Sequence, residues 1–195
     1  KDTIAKAKLI YKYVQEKARY VSIQEGIGGW KPMMAKDVDR LGYGDCKALS
    51  NYTKALLNAV GVTSYYTKLY GDNYKRDIIS DFVSQQGNHI ILAIPTANKY
   101  IFLECTSQDD PFGYQGTFTD DRDVLIIKPE GGEIVHTTIY TDLDNSQISK
   151  GKYTIAENGD FAGTIKITSH GTQYSSKVGL EKALPTDQEK HYKEY

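Results

Sequence analysis

Residues 42 to 61 constrain the fold more than any other stretch of this 195-residue chain. Gly42-Tyr43-Gly44 reads as a loop, because two glycines so close together interrupt any regular element. Asp45 then offers a side-chain oxygen to the first free amides of a helix. Leu49, Tyr52, Leu56 and Ala59 recur at helical spacing, and Gly61 supplies the stop. The stretch predicts an amphipathic helix from about Cys46 to Val60, central to a hydrophobic core. Two other helices precede it. Asp2 or Thr3 caps the first, whose apolar positions are Ile4, Tyr11, Val14 and Ala18. Pro32 suits the first turn of the second, with Met34, Val38 and Leu41 on one face and Gly42 at its end.

The pattern then changes to strands. Val62 to Tyr70 is one. Residues 71 to 87 are polar and loop-like, apart from Ile78, Ile79, Phe82 and Val83. His89 to Ile94 and Lys99 to Glu104 form a hairpin closed by Pro95-Thr96-Ala97-Asn98. Val124 to Lys128 is a further strand, and Pro129-Glu130-Gly131-Gly132 is a turn. The expected architecture is α+β, with helices packed on an antiparallel sheet over residues 1 to 131. A β-rich segment, 132 to 195, follows with strands at Ile134–Tyr140, Lys152–Ala156 and Phe161–Ser169. Asn158-Gly159 marks its hairpin, and Pro185 starts a last helix. Large apolar residues are sparse there, so the segment is expected to be part of a second, all-β domain.

Charge narrows the function classes. Lys and Arg total 24 against 25 Asp and Glu, which argues against nucleic acid or an anionic membrane as the main partner. No apolar run approaches the roughly 20 residues of a membrane-spanning helix. The chain begins at Lys1 without a Met, so it is expected to be an excised fragment with further domains. Its two cysteines make neither a disulfide framework nor a zinc-ligand set. Sixteen tyrosines fill strands and half-buried faces, and a peptide- or glycan-binding surface is their second use.

Cys46 carries the chemistry. A helix opening at this residue aims unpaired N–H groups and the positive end of its dipole at the sulfur. Both favour thiolate, the nucleophilic form. Lys47 adds a positive charge. A base and an orienting acid are then needed, and the hairpin supplies them. With a four-residue loop, Ile94 is expected to face Lys99, which sets His89 directly opposite Glu104 on one face of the pair. A carboxylate there fixes the imidazole tautomer and raises the basicity of its other nitrogen. The same alternation sends Cys105 to the other face as a buried, apolar-type cysteine.

Gly44-Asp45-Cys46-Lys47 and the helix ALSNYTKALLNAVG after it resemble the nucleophile helix of the bacterial transglutaminase-like superfamily. Asn88-His89 resembles that family's histidine strand, and Phe102-Leu103-Glu104-Cys105-Thr106 its acid strand. The resemblance covers roughly residues 1 to 130. It implies a papain-like core with a triad of Cys46, His89 and an acid. That acid is usually aspartate, often in Asp-Pro-Thr; here Glu104, one methylene longer, takes its place, with Asp109 or Asp110 as the alternative. The Cys46 amide is the first oxyanion donor. Gln24 or Trp30, both upstream as in related enzymes, is the second, and Tyr43 is expected to line the cleft. The implied protein is bacterial, exported and multidomain, acts on peptide, protein or glycopeptide, and needs no cofactor or metal ion.

Two functions fit this reading. One is cysteine-dependent amide hydrolysis or acyl transfer, with hydrolysis favoured because nothing resembles the calcium loops of animal transglutaminases. The other is a non-catalytic peptide- or glycan-binding module with a degenerate triad. In either, the loops at 24 to 31, 71 to 87 and 107 to 121 set specificity.

Overall fold

The computed structural model describes residues 2–175, 177–181 and 183–194, in two compact units, Lys1–Ile139 and Tyr140–Tyr195. The first unit begins with α1 (Thr3–Lys17), capped by Asp2, whose carboxylate accepts from the Ile4 amide at 3.0 Å. A two-residue strand β1 (Arg19–Tyr20) follows, then a single turn of 3-10 helix at Gly26–Gly29. Next come α2 (Ala35–Leu41), β2 (Tyr43–Gly44) and α3 (Cys46–Ala59). Gly42 ends α2 in the left-handed conformation, at φ 70°. Gly44 permits a close approach: a Cβ there would lie 2.7 Å from that of Ala48. Strands β1 and β2 pair in parallel.

The main sheet has the order β5-β4-β3-β6-β7. Its strands are β3 (Tyr65–Leu69), β4 (His89–Pro95), β5 (Tyr100–Leu103), β6 (Asp123–Lys128) and β7 (Gly131–His136), all antiparallel to their neighbours. A short helix α4 (Gly116–Thr119) precedes β6. Alternation along the strands builds two apolar clusters. Leu92, Ile94 and Leu103 join Leu49, Tyr52 and Leu57 of α3 and Tyr11 and Val14 of α1. Leu69, Ile91, Phe102 and Ile126 form the second. Each large side chain fully buried this way contributes roughly 1.5–3 kcal/mol. Polar bonds pin α3 on the sheet: Ser50 Oγ donates to the Ile90 carbonyl at 3.2 Å, and Tyr66 Oη to the Lys47 carbonyl at 3.0 Å.

The expected boundary at Gly131 is corrected. Lys128 pairs with Gly131 across a two-residue turn, so Pro129-Glu130 joins two strands of one sheet, and the unit runs to Ile139. The second unit holds the hairpin β8 (Gln147–Ile155) and β9 (Phe161–Ser169). It continues with α5 (Thr172–Ser175), α6 (Val178–Glu181) and α7 (Pro185–Lys193). An all-β character for this segment is therefore also corrected: among the described residues three helices follow the hairpin. No described helix is long and apolar enough to cross a membrane.

Candidate active site

Cys46 is the first residue of α3 and is only 6 % exposed. Asp45 caps that helix by accepting from the Ala48 amide at 2.9 Å, and its other oxygen pairs with Lys47. The Lys47 charge is thus neutralised by Asp45 rather than left facing the sulfur. The cleft over Cys46 has a volume of about 580 Å³ and is lined also by His89, Gln24 and Trp30.

The hairpin register differs from the expected one. Ile94 pairs with Ile101, not Lys99, because Pro95 still pairs with Tyr100 and the loop is closed by Thr96, whose Oγ1 donates to the Lys99 carbonyl at 2.6 Å. The displacement is by two residues in the pairing sum, so the faces are unchanged. His89 and Glu104 lie diagonally rather than directly opposite, and still meet: His89 Nε2 is 2.9 Å from Glu104 Oε2. The other carboxylate oxygen, Oε1, accepts from the Thr106 amide at 3.0 Å and from Thr106 Oγ1 at 2.5 Å. Glu104 is thereby held at both oxygens, and Tyr11 Oη of α1 fixes its backbone carbonyl at 2.9 Å. Glu104 takes up Nε2, which leaves Nδ1 as the other ring nitrogen; Cys46 lines the same cleft as His89, and its charge adds to the upward shift of the imidazole.

Electrostatics follow from this burial. Removal from water opposes a charge on His89, but the Glu104 carboxylate, with Cys46, outweighs it and raises the imidazole from 6.5 to about 10. Burial likewise opposes the Glu104 charge; the imidazolium and the two Thr106 bonds outweigh it and hold the carboxyl below its ordinary 4.5. Burial and the Glu104 charge push the Cys105 thiol up to about 12, so the second cysteine stays a thiol in the core. Both cysteines are free.

The pair gives a pH signature of stability. The lowered Glu104 stabilises the fold above about 4.5, and that contribution is lost as pH falls through its folded-state value. The raised His89 stabilises fully below 6.5, and that contribution is lost as pH rises towards about 10. Melting temperature is expected to peak between these limits and to fall on the alkaline side. In Glu104→Gln that alkaline fall should flatten. Thermal melts of both proteins across the range check this, and parallel curves would refute the coupling.

His89 is braced from behind. Its ring meets that of Phe118 edge-on, centroids 5.2 Å apart. Gly71 makes room: a Cβ there would sit 2.7 Å from Phe118 Cε1 and 2.9 Å from His89 Cβ. Asn88 ties the same place, accepting from the Gly71 amide at 2.7 Å and donating to the Gly71 carbonyl at 3.2 Å. Sequence reasoning missed Gly71, Phe118 and the bracing role of Asn88. Only the position of Asn88 beside the histidine offered a signal.

Among the other expected residues, Gln24 lines the cleft and Trp30, 65 % exposed, stands at its rim. Tyr43 is a correction: it pairs with Arg19 in the small parallel sheet and is not among the residues lining the cleft. Of the three acidic residues expected near His89, Glu104 rather than Asp109 or Asp110 is the one that meets it. Glu104 holds the histidine, and the amides of both aspartates donate to Ser107 Oγ, at 3.3 and 3.0 Å. Gln85 and Gly87, from the 71 to 87 loop expected to set specificity, also line the cleft, as does Lys68, which the sequence left unassigned. The chain matches no protein-family model and no curated protein.

Proposed function

We propose that the protein is a cysteine-dependent amide hydrolase or acyltransferase with a papain-like core, as the resemblance to the transglutaminase-like superfamily implies. The observation that carries this reading is the hydrogen-bonded chain Thr106–Glu104–His89 in a cleft whose wall also holds Cys46, at the head of a helix. Cys46 Sγ attacks the carbonyl carbon of an amide, its proton having passed to His89 Nδ1. The negative oxygen that develops is received by the Cys46 amide and the Gln24 side chain. Collapse breaks the C–N bond, and the imidazolium returns its proton to the departing nitrogen. A water molecule gives a proton to His89 and attacks the thioester carbon; the C–S bond breaks and the acid leaves. An amine in place of water completes acyl transfer instead. Glu104 is a positioning residue: it holds the ring and stabilises its charged form.

The test is to trap the acyl intermediate. Full-length chain is mixed with peptide p-nitrophenyl esters and anilides, quenched in acid during turnover, and digested. Mass spectrometry is expected to find the acyl group on the peptide containing Cys46, and Cys46→Ala should show neither adduct nor turnover. Absence of any adduct, with peptide retained in the cleft of both proteins, would support the binding-module reading and overturn the enzymatic one.

A further inference from the structure

We propose that this cleft selects acyl donors carrying a carboxylate near the scissile bond, and that Lys68 receives it. The inference rests on the reading of the cleft as the acyl-transfer site, and adds a substrate class to it. Across the chain cations and anions nearly balance, at 24 and 25. In the cleft they do not. Lys47, Lys68 and His89 line it, and none of its described lining residues is an aspartate or a glutamate.

Two of these three charges are already answered, Lys47 by Asp45 and His89 by Glu104. Lys68 has no carboxylate partner among the described residues. It stands in β3 opposite Ile90, next to the Leu69–His89 pair. Its stem is fitted into the wall. Gly87, at φ +79°, passes so close that a Cβ there would lie 2.9 Å from Lys68 Cγ and 2.8 Å from the Leu69 carbonyl oxygen. A half-buried cation in a concave wall, with no internal counter-charge, focuses a positive field where a substrate must lie. A lysine ammonium is a compact point charge that one carboxylate satisfies. Gln24 and Gln85, in the same lining, add only neutral amide groups. The carboxylate is either an acidic side chain or the free C-terminus of a short peptide. Both present the same group to Lys68.

The first measurement needs no turnover. Cys46 in the full chain is alkylated with iodoacetate, which is anionic, and with iodoacetamide, its neutral counterpart, and each rate is followed on the Cys46 peptide. The ratio of the two rates is expected to fall about 3- to 10-fold in Lys68→Met, which keeps an apolar stem, and to be retained in Lys68→Arg. High salt should lower the wild-type ratio, because it screens the field. A ratio unchanged by both Lys68→Met and salt would overturn the proposal while leaving the nucleophile intact. If neither reagent labels Cys46, the acyl-transfer reading itself fails. Should Lys68→Met not fold, the salt dependence and Lys68→Arg carry the test. Matched peptides, cleaved at one internal amide bond, then separate the two carboxylate sources: one with an internal Glu and amidated end, one with Gln and a free terminus, and one with Gln and amidated end. One acidic donor should exceed the neutral donor in kcat/KM at least several-fold, and Lys68→Met should abolish that preference. Equal values for all three would overturn it.

Discussion

His89→Ala is expected to lower kcat/KM for amide hydrolysis about 1,000-fold or more while leaving the fold in place. General acid–base catalysis by one positioned side chain supplies about 100- to 10,000-fold, and this imidazole serves twice in the proposed cycle, once in acylation and once in deacylation. Loss of the ring therefore removes the proton transfers of both steps. The fall should appear in kcat, since the ring's contribution is made at the transition state rather than in ground-state binding. Glu104→Gln is the informative companion. It keeps a side chain that can still reach the ring but removes the charge that raises His89 to about 10. The imidazolium then loses its proton at lower pH, so the alkaline limb of the kcat profile should shift towards 6.5, the ordinary value of the ring. Near-UV spectra and melting curves verify folding in both variants. Retention of more than a tenth of wild-type kcat/KM in His89→Ala would remove this residue from the mechanism.

The site was legible where local chemistry and parity decide it. Asp45 caps α3 as its side chain dictates, and Cys46 therefore stands at the helix head. The meeting of His89 and Glu104 survived a misplaced register because strand parity depends on odd or even spacing alone, and the register moved by an even number. The register itself was not legible. Thr96 closes the hairpin loop with its hydroxyl, and nothing in the turn sequence fixed how far the ladder extends beyond it. Gly131 misled for a related reason: a Pro-Glu-Gly-Gly run reads equally as a linker and as a tight turn between strands. The bracing of His89 by Gly71 and Phe118 was beyond sequence reasoning. Gly71 and Phe118 lie far apart in the chain and look like ordinary loop residues. Their roles follow from the space between them, which only the assembled loops define.

Arg122→Leu is expected to destabilise the protein by about 3–5 kcal/mol, the range for removing one member of a buried charged network. The guanidinium is fully buried and gathers two loops around itself. Nε donates to the Asp120 carbonyl at 2.7 Å, and Nη2 to the Thr117 carbonyl at 3.1 Å. Nη1 donates to the carbonyls of Tyr70 and, at 3.1 Å, Asp72. Leucine fills much of the volume but leaves four carbonyls without these donors, and unmade bonds to buried acceptors cost more than made ones contribute. It also removes one of the two cations beside the buried Asp120 carboxylate, leaving only the half-exposed Lys75, 3.8 Å from Oδ2, where the guanidinium lay 3.8 Å from Oδ1. Lysine offers one compact charge in place of a planar fork, so Arg122→Lys should recover only part of the loss. The consequence reaches the site, because residues 70–72 and 117–120 carry Gly71 and Phe118, which hold the imidazole from behind. Urea unfolding should show a lower midpoint at unchanged slope. Hydrogen exchange should rise first in these two loops, and kcat should fall at temperatures where the variant is still folded. An unfolding free energy within about 1 kcal/mol of wild type, the scale of a single ordinary hydrogen bond, would show that the guanidinium is not what holds the two loops together.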